Sequence, residues 1–134
     1  MLNKNILNIN PEIVCYIILK AREFQAKEEV TFSENIPDSE YEYDWSQILA
    51  DHNDDLTLTE IRKVIEDLEP DQQVDLLTLM YVGRGDFDVR DWSAARKEAK
   101  RNLAPNLTGY LLSKPQIADY LEDALNMLGH SCEE

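Results

Sequence analysis

Residues 81–92 read YVGRGDFDVRDW, and they hold the densest set of groups able to do polar chemistry in this chain. Arg84 carries a planar fork of donors suited to a carboxylate or a phosphate. Asp86 and Asp88 follow at spacings that let them cap the next helix or hold Arg84 in place. Gly83 and Gly85 admit turn angles closed to most residues and leave room for a backbone or a ligand to approach. Arg90, Arg96, Lys97, Lys100 and Arg101 extend the positive charge beyond the turn. The binding set expected from these positions is Arg84, Asp86, Asp88, Arg90, Arg96, Lys97 and Lys100. A plain turn accounts for the glycines without a ligand, and pairing with the chain's own carboxylates accounts for the charges; both readings stand beside the binding one.

Other constellations carry less. Arg84-Gly85-Asp86 spells the tripeptide read by adhesion receptors, a signal only three residues long. The glycine pair lacks the long phosphate-binding pattern with its Lys and Ser or Thr. Asp86, Asp88 and Asp91 lack the central Gly and closing Glu of a calcium loop. His52 sits among Asp51, Asp54 and Asp55, which favour its charged form, but no nucleophile accompanies it. His130 follows Gly129 and suits a helix end. Asp119 with Glu122 or Asp123 can share one helix face, a spacing common on solvated helices. Cys15 falls in an apolar pattern and Cys132 lies far from it in sequence, so no disulfide framework is expected and Cys132 reads as a passive thiol. With two histidines and two cysteines there is no zinc-like cluster, so neither a metal nor a cofactor is expected. The catalytic residues are unassigned.

The charge balance limits the partners. The net charge of -14 opposes duplex DNA, RNA and anionic membrane at long range. No apolar run has the length of a membrane span and no secretory signal is evident, so a cytoplasmic protein is expected. The charge is uneven: residues 28–61 hold 11 carboxylates and no Lys or Arg, whereas residues 83–114 hold seven basic groups against four acidic ones. A protein partner is therefore expected at the basic segment, or else an acidic segment folded over it. A homodimer is a further expectation, since small domains often assemble symmetrically.

The elements that must position these groups read as helices. Asn10 can cap and Pro11 can open a first helix whose apolar stripe runs through Ile13, Ile17, Ala21 and Phe24 and which is expected at the centre of the core. Residues 28–43, with Pro37, read as a loop, and Asp44 with Gln47 opens a short helix anchored by Tyr41, Tyr43 and Trp45. Thr57 with Glu60 forms a capping-box pattern before Ile61, Val64, Ile65 and Leu68. Pro70 starts a helix carrying Val74, Leu77 and Tyr81, and the short link predicts an antiparallel hairpin of these two. Trp92, Ala95, Ala99 and Leu103 share the next face, Pro105 ends or kinks that helix, and Pro115 to Gly129 frames the last one. Met80 and Met127 read as core gap fillers. The expected fold is all-α: a compact bundle of about five or six helices in a single domain over residues 1–134, with a mobile acidic loop insertion at 28–56.

Taken together, NPEIVCYIILKAREF, YVGRGDFDVRDW and YLLSKPQIADYLEDALNMLGHSCEE resemble the bacterial proteins grouped as domain of unknown function 3775, over roughly residues 8–134. Cys15, Ala21, Arg22, Glu23 and Phe24 carry the resemblance in the first helix. Gly83, Arg84, Gly85, Asp86 and Trp92 carry it at the turn, and Tyr110, Leu111, Leu112, Pro115, Tyr120 and Leu121 carry it later. It implies a compact bacterial domain and no established reaction. The function expected is that of a small cytoplasmic interaction or regulatory domain; the alternatives are a small enzyme with Arg84, Asp86 and His52 at a polar site near residues 83–88, or a structural scaffold.

Overall fold

The computed structural model describes residues 6–27 and 55–132. The expected helix after Asp44, the anchors Tyr41, Tyr43 and Trp45, His52 and the acidic segment up to residue 54 lie outside the described residues. Within them are six α-helices and no strand: α1 Pro11–Lys27, α2 Leu56–Asp67, α3 Pro70–Arg84, α4 Trp92–Asn102, α5 Leu107–Leu112 and α6 Ile117–Met127. The expected all-α bundle is what forms. None of these helices is long and apolar enough to cross a membrane.

The α1 start follows its sequence: Glu12 N–H donates to Asn10 Oδ1 at 2.8 Å, and Pro11 occupies the first helical turn, where no intrahelical partner for its nitrogen is needed. Val14, Ile17, Ile18, Ala21 and Phe24 form its buried face. Removing each large side chain of this kind from water contributes roughly 1.5–3 kcal/mol. The cap of α2 lies two residues before the expected one. Asp55 accepts the Leu58 N–H at 3.1 Å, which leaves Thr57 and Glu60 inside the helix, and Glu60 pairs with Lys20 at 3.1 Å.

The central helix is α3 rather than α1. Every residue from Val74 to Val82 is buried, so α3 is covered on all sides instead of showing one apolar stripe. Helices α4 and α6 pack against α3, α1 packs against α6 and α2, and α2 packs against α5. The hairpin expected of α2 and α3 is therefore not the principal packing. Leu68 and Glu69 are extended, at ψ 146° and 158°, and they carry the chain out of α2 before Pro70 restarts it. Gln72 Oε1 accepts the Glu69 N–H at 2.9 Å to close the new N-terminus.

Two glycines end helices. Gly85 at φ 94° and Gly129 at φ 88° take the left-handed conformation, and the amides after them, Asp86 and His130, donate to Tyr81 O and Leu125 O at 2.9 Å. Gly83 has a different task. It faces α6, where a methyl group would fall inside the contact radius of the Tyr120 carbonyl, so α3 and α6 meet backbone to backbone. Met80 fills the core as expected, but Met127 is 47% exposed on α6, which corrects its reading as a gap filler.

Candidate functional site

The turn after α3 is closed on itself. Arg84 Nη2 and Nε donate to Asp86 Oδ2 at 2.6 and 3.0 Å. Asp88 Oδ1 accepts the Arg90 N–H at 2.8 Å, starting the short 3₁₀ turn Val89–Asp91, and also receives Arg90 Nε at 3.1 Å. Those bonds from the Arg90 side chain and then its backbone hold the Asp88 carboxyl below its ordinary pKa. Phe87 sets its ring 6.0 Å from that of Tyr81, tying the turn to α3. Arg84 and Asp86 thus meet, as do Asp88 and Arg90, but each guanidinium already holds a carboxylate. Of the groups expected to converge for an enzyme, Arg84 and Asp86 are brought together and His52 lies outside the described residues.

Arg96 points inward. Its Nε donates to Asp75 Oδ1 at 2.9 Å, its Nη2 approaches Asp71 Oδ1 at 3.5 Å, and Asp75 is 0% exposed. Hydrogen bonding to Asp75 is the leading cause that raises the Arg96 pKa above its ordinary value. Asp75 Oδ2 accepts the N–H groups of Asn8 and Ile9. One buried carboxylate therefore joins α3, α4 and the segment entering α1. It goes unsignalled in the sequence, where Asp75 stands as one more acid in an acidic chain. Lys97 and Lys100 differ from the arginines: both are exposed on α4, and neither has an ion-pair partner among the described residues.

The outward face of α1 holds two open grooves. The first, of about 580 Å³, lies between α1 and α2 and is lined by Ile13, Tyr16, Val64 and Leu68, with Asn10, Glu12, Asp67 and Gln72 as its polar members. The second, of about 610 Å³, lies between α1 and the end of α6; Tyr16, Ile18, Leu19 and the two cysteines line it beside Glu12, Arg22, Glu122 and Ser131. Glu12 and Tyr16 belong to both, so the grooves form one surface along α1. Leu19 stands 55% exposed on it. Arg22 is bound by Asp119 and Glu122 at 2.9 Å each, which gives that carboxylate pair a partner and raises the Arg22 pKa, Glu122 first and Asp119 second. Among the described residues no group of His, Cys, Asp and Glu could hold a metal ion.

Cys15 and Cys132 are joined in a disulfide, with Cα atoms 5.5 Å apart across 117 residues of sequence. This corrects the expectation of unpaired thiols. Sequence distance hid the pairing: α6 returns along α1, and the left-handed Gly129 turns the chain back so that Cys132 meets the first helix. His130 takes the helix-end place expected for it, its N–H closing α6 on Leu125 O at 2.9 Å.

Searches of curated proteins and of solved structures gave no match. A profile of the family described as protein of unknown function (DUF3775) matches residues 58–130, which takes in most of α2, all of α3 to α6 and the self-closed turn, while α1 lies before the matched span. The chain belongs to this family of proteins of unknown function.

Proposed function

We propose that this is a small bacterial, cytoplasmic protein-interaction domain whose α1 face receives a basic amphipathic helix of a protein partner. The observation that carries the reading is the pair of grooves meeting at Glu12 and Tyr16, with Leu19 left exposed in the one between α1 and α6. Apolar side chains spaced along such a surface suit the i, i+3, i+4 anchors of a docked helix. The charge selects its sign. Glu12, Asp67 and Glu122 rim the grooves, the nearby cations Arg22 and Lys20, the latter over the Tyr16 ring, are already bound to carboxylates, and the whole chain carries -14. A basic helix is drawn in and a second copy of this chain is repelled. The family sets no reaction against this reading.

A second reading, an acidic protein segment on α4, is favoured by Lys97 and Lys100, which are exposed and have no ion-pair partner among the described residues. Titrating the isotope-labelled protein with a designed leucine-lysine amphipathic peptide and its scrambled isomer separates charge from shape. The amphipathic peptide is expected to shift the amides of Ile13, Tyr16, Leu19 and Val64, and Leu19→Ser to weaken it at least about tenfold (~1.4 kcal/mol). Equal binding of the scrambled isomer, or full affinity in Leu19→Ser, overturns the groove reading. If an acidic peptide binds and Lys97→Glu/Lys100→Glu abolishes it, the second reading stands instead.

A further inference from the structure

We infer that the Cys15–Cys132 bridge is a thiol–disulfide exchange site whose state reshapes the groove between α1 and α6. Both sulfurs belong to residues lining that open groove, and both residues are only partly buried, so an attacking thiolate has a path to them. Bridges that solvent can reach are more readily exchanged than fully buried ones. The bridge is not the sole link between the two helices. Val14, Ile17, Ile18 and Ala21 of α1 and Leu121, Ala124 and Leu125 of α6 are buried beside it, and Arg22 holds Asp119 and Glu122 across the same two helices. A domain of this size reaches stability through its buried core.

The segment after α6 depends on the bridge far more. Gly129 and His130 close the helix through Asn126 O and Leu125 O, but no backbone hydrogen bond within the described residues holds Ser131 or Cys132. Those two residues form one wall of the groove. Release of Cys132 therefore removes the wall and leaves α1 and α6 packed.

The exchange balances with a dithiol reductant. One of its thiolates attacks a bridge sulfur; the Cys15–Cys132 bond breaks, a mixed disulfide forms, and the other cysteine leaves as a thiolate and takes a proton. The reductant's second thiol then displaces the protein sulfur. Two electrons and two protons pass to Cys15 and Cys132, and the dithiol becomes a disulfide.

This inference deepens the partner reading and rests on it for its consequence, but its test does not require a partner. The oxidised full-length protein is equilibrated with a dithiol protein reductant and with reduced and oxidised glutathione, then alkylated and weighed, while amide spectra are recorded in each state. The expected result is reversible gain of two alkyl groups, unchanged helical circular dichroism, and amide shifts confined to residues 129–132 and to Cys15, Tyr16, Leu19 and Arg22. Cys15→Ser/Cys132→Ser is expected to reproduce the reduced spectrum. A bridge that fails to exchange in the folded protein overturns the inference, and so do groove amides identical in both states. The leucine-lysine peptide, added last, is expected to bind the oxidised form at least about fivefold more tightly. Failure of the peptide in both states counts against the partner reading alone, because alkylation and amide shifts decide the exchange site separately.

Discussion

Two glycines two positions apart do unrelated work, and substitution separates them. Gly85 has a positive φ and open space around it, so Gly85→Ala is expected to cost about 1 kcal/mol, and Gly85→Asn less, since Asn tolerates the left-handed region. Gly83 is helical, but its missing side chain lets the α6 backbone close in at Tyr120. Gly83→Ala must push α3 and α6 apart and is expected to cost ~3 kcal/mol or more, beyond rescue by Asn. Urea midpoints of the three variants check this; equal losses at 83 and 85 would contradict it. The sequence signals that both residues need to be glycine, as a turn or as a close approach, but assigning one task to each takes the third dimension. The same holds for Arg84, whose fork chemistry is plain in the sequence while its occupation by Asp86 is not.

Helices read well from the chain because caps and stops are local. Asn10-Pro11, Glu69-Pro70 and Gly129 stand where helices begin or end. Which helix is central is not local: α3 carries Asp75 and Thr78 among its apolar residues, and this interrupts any stripe, yet both are buried with partners, Thr78 on Val74 O at 2.6 Å. The Asp75 to Arg96 contact ties α3 to α4, and removing one member of such a pair strands the other. Asp75→Asn and Arg96→Met are each expected to lose about 3 kcal/mol in urea unfolding, and the double variant less than their sum. Hydrogen exchange at Asn8 and Ile9 is expected to quicken far more in Asp75→Asn than in Arg96→Met, because Asp75 alone accepts from those amides. Additive losses would remove the coupling. Charge reversal at Arg96 therefore disturbs the fold, and the exposed lysines 97 and 100 are the positions at which to question a basic docking face.

At the scale of the whole molecule, the net charge and the fold class are both legible from composition and periodicity, whereas the candidate surface is not. It exists because α1 is flanked by α2 on one side and by α6 with Cys132 on the other, a neighbourhood assembled from residues far apart in sequence. The residues expected to bind lie mostly in pairs that serve the fold, and the ones left to bind, such as Tyr16 and Leu19, read in sequence as part of an ordinary apolar helix. The acidic balance then favours a basic occupant. The direct test is site-specific photo-crosslinking in the producing cells, with the crosslinker at position 19 and, in parallel, at position 97. Adducts at position 19 to a lysine- or arginine-rich segment with helical apolar spacing are the predicted result. Adducts formed only from position 97, or from position 19 to another copy of this chain, would contradict it.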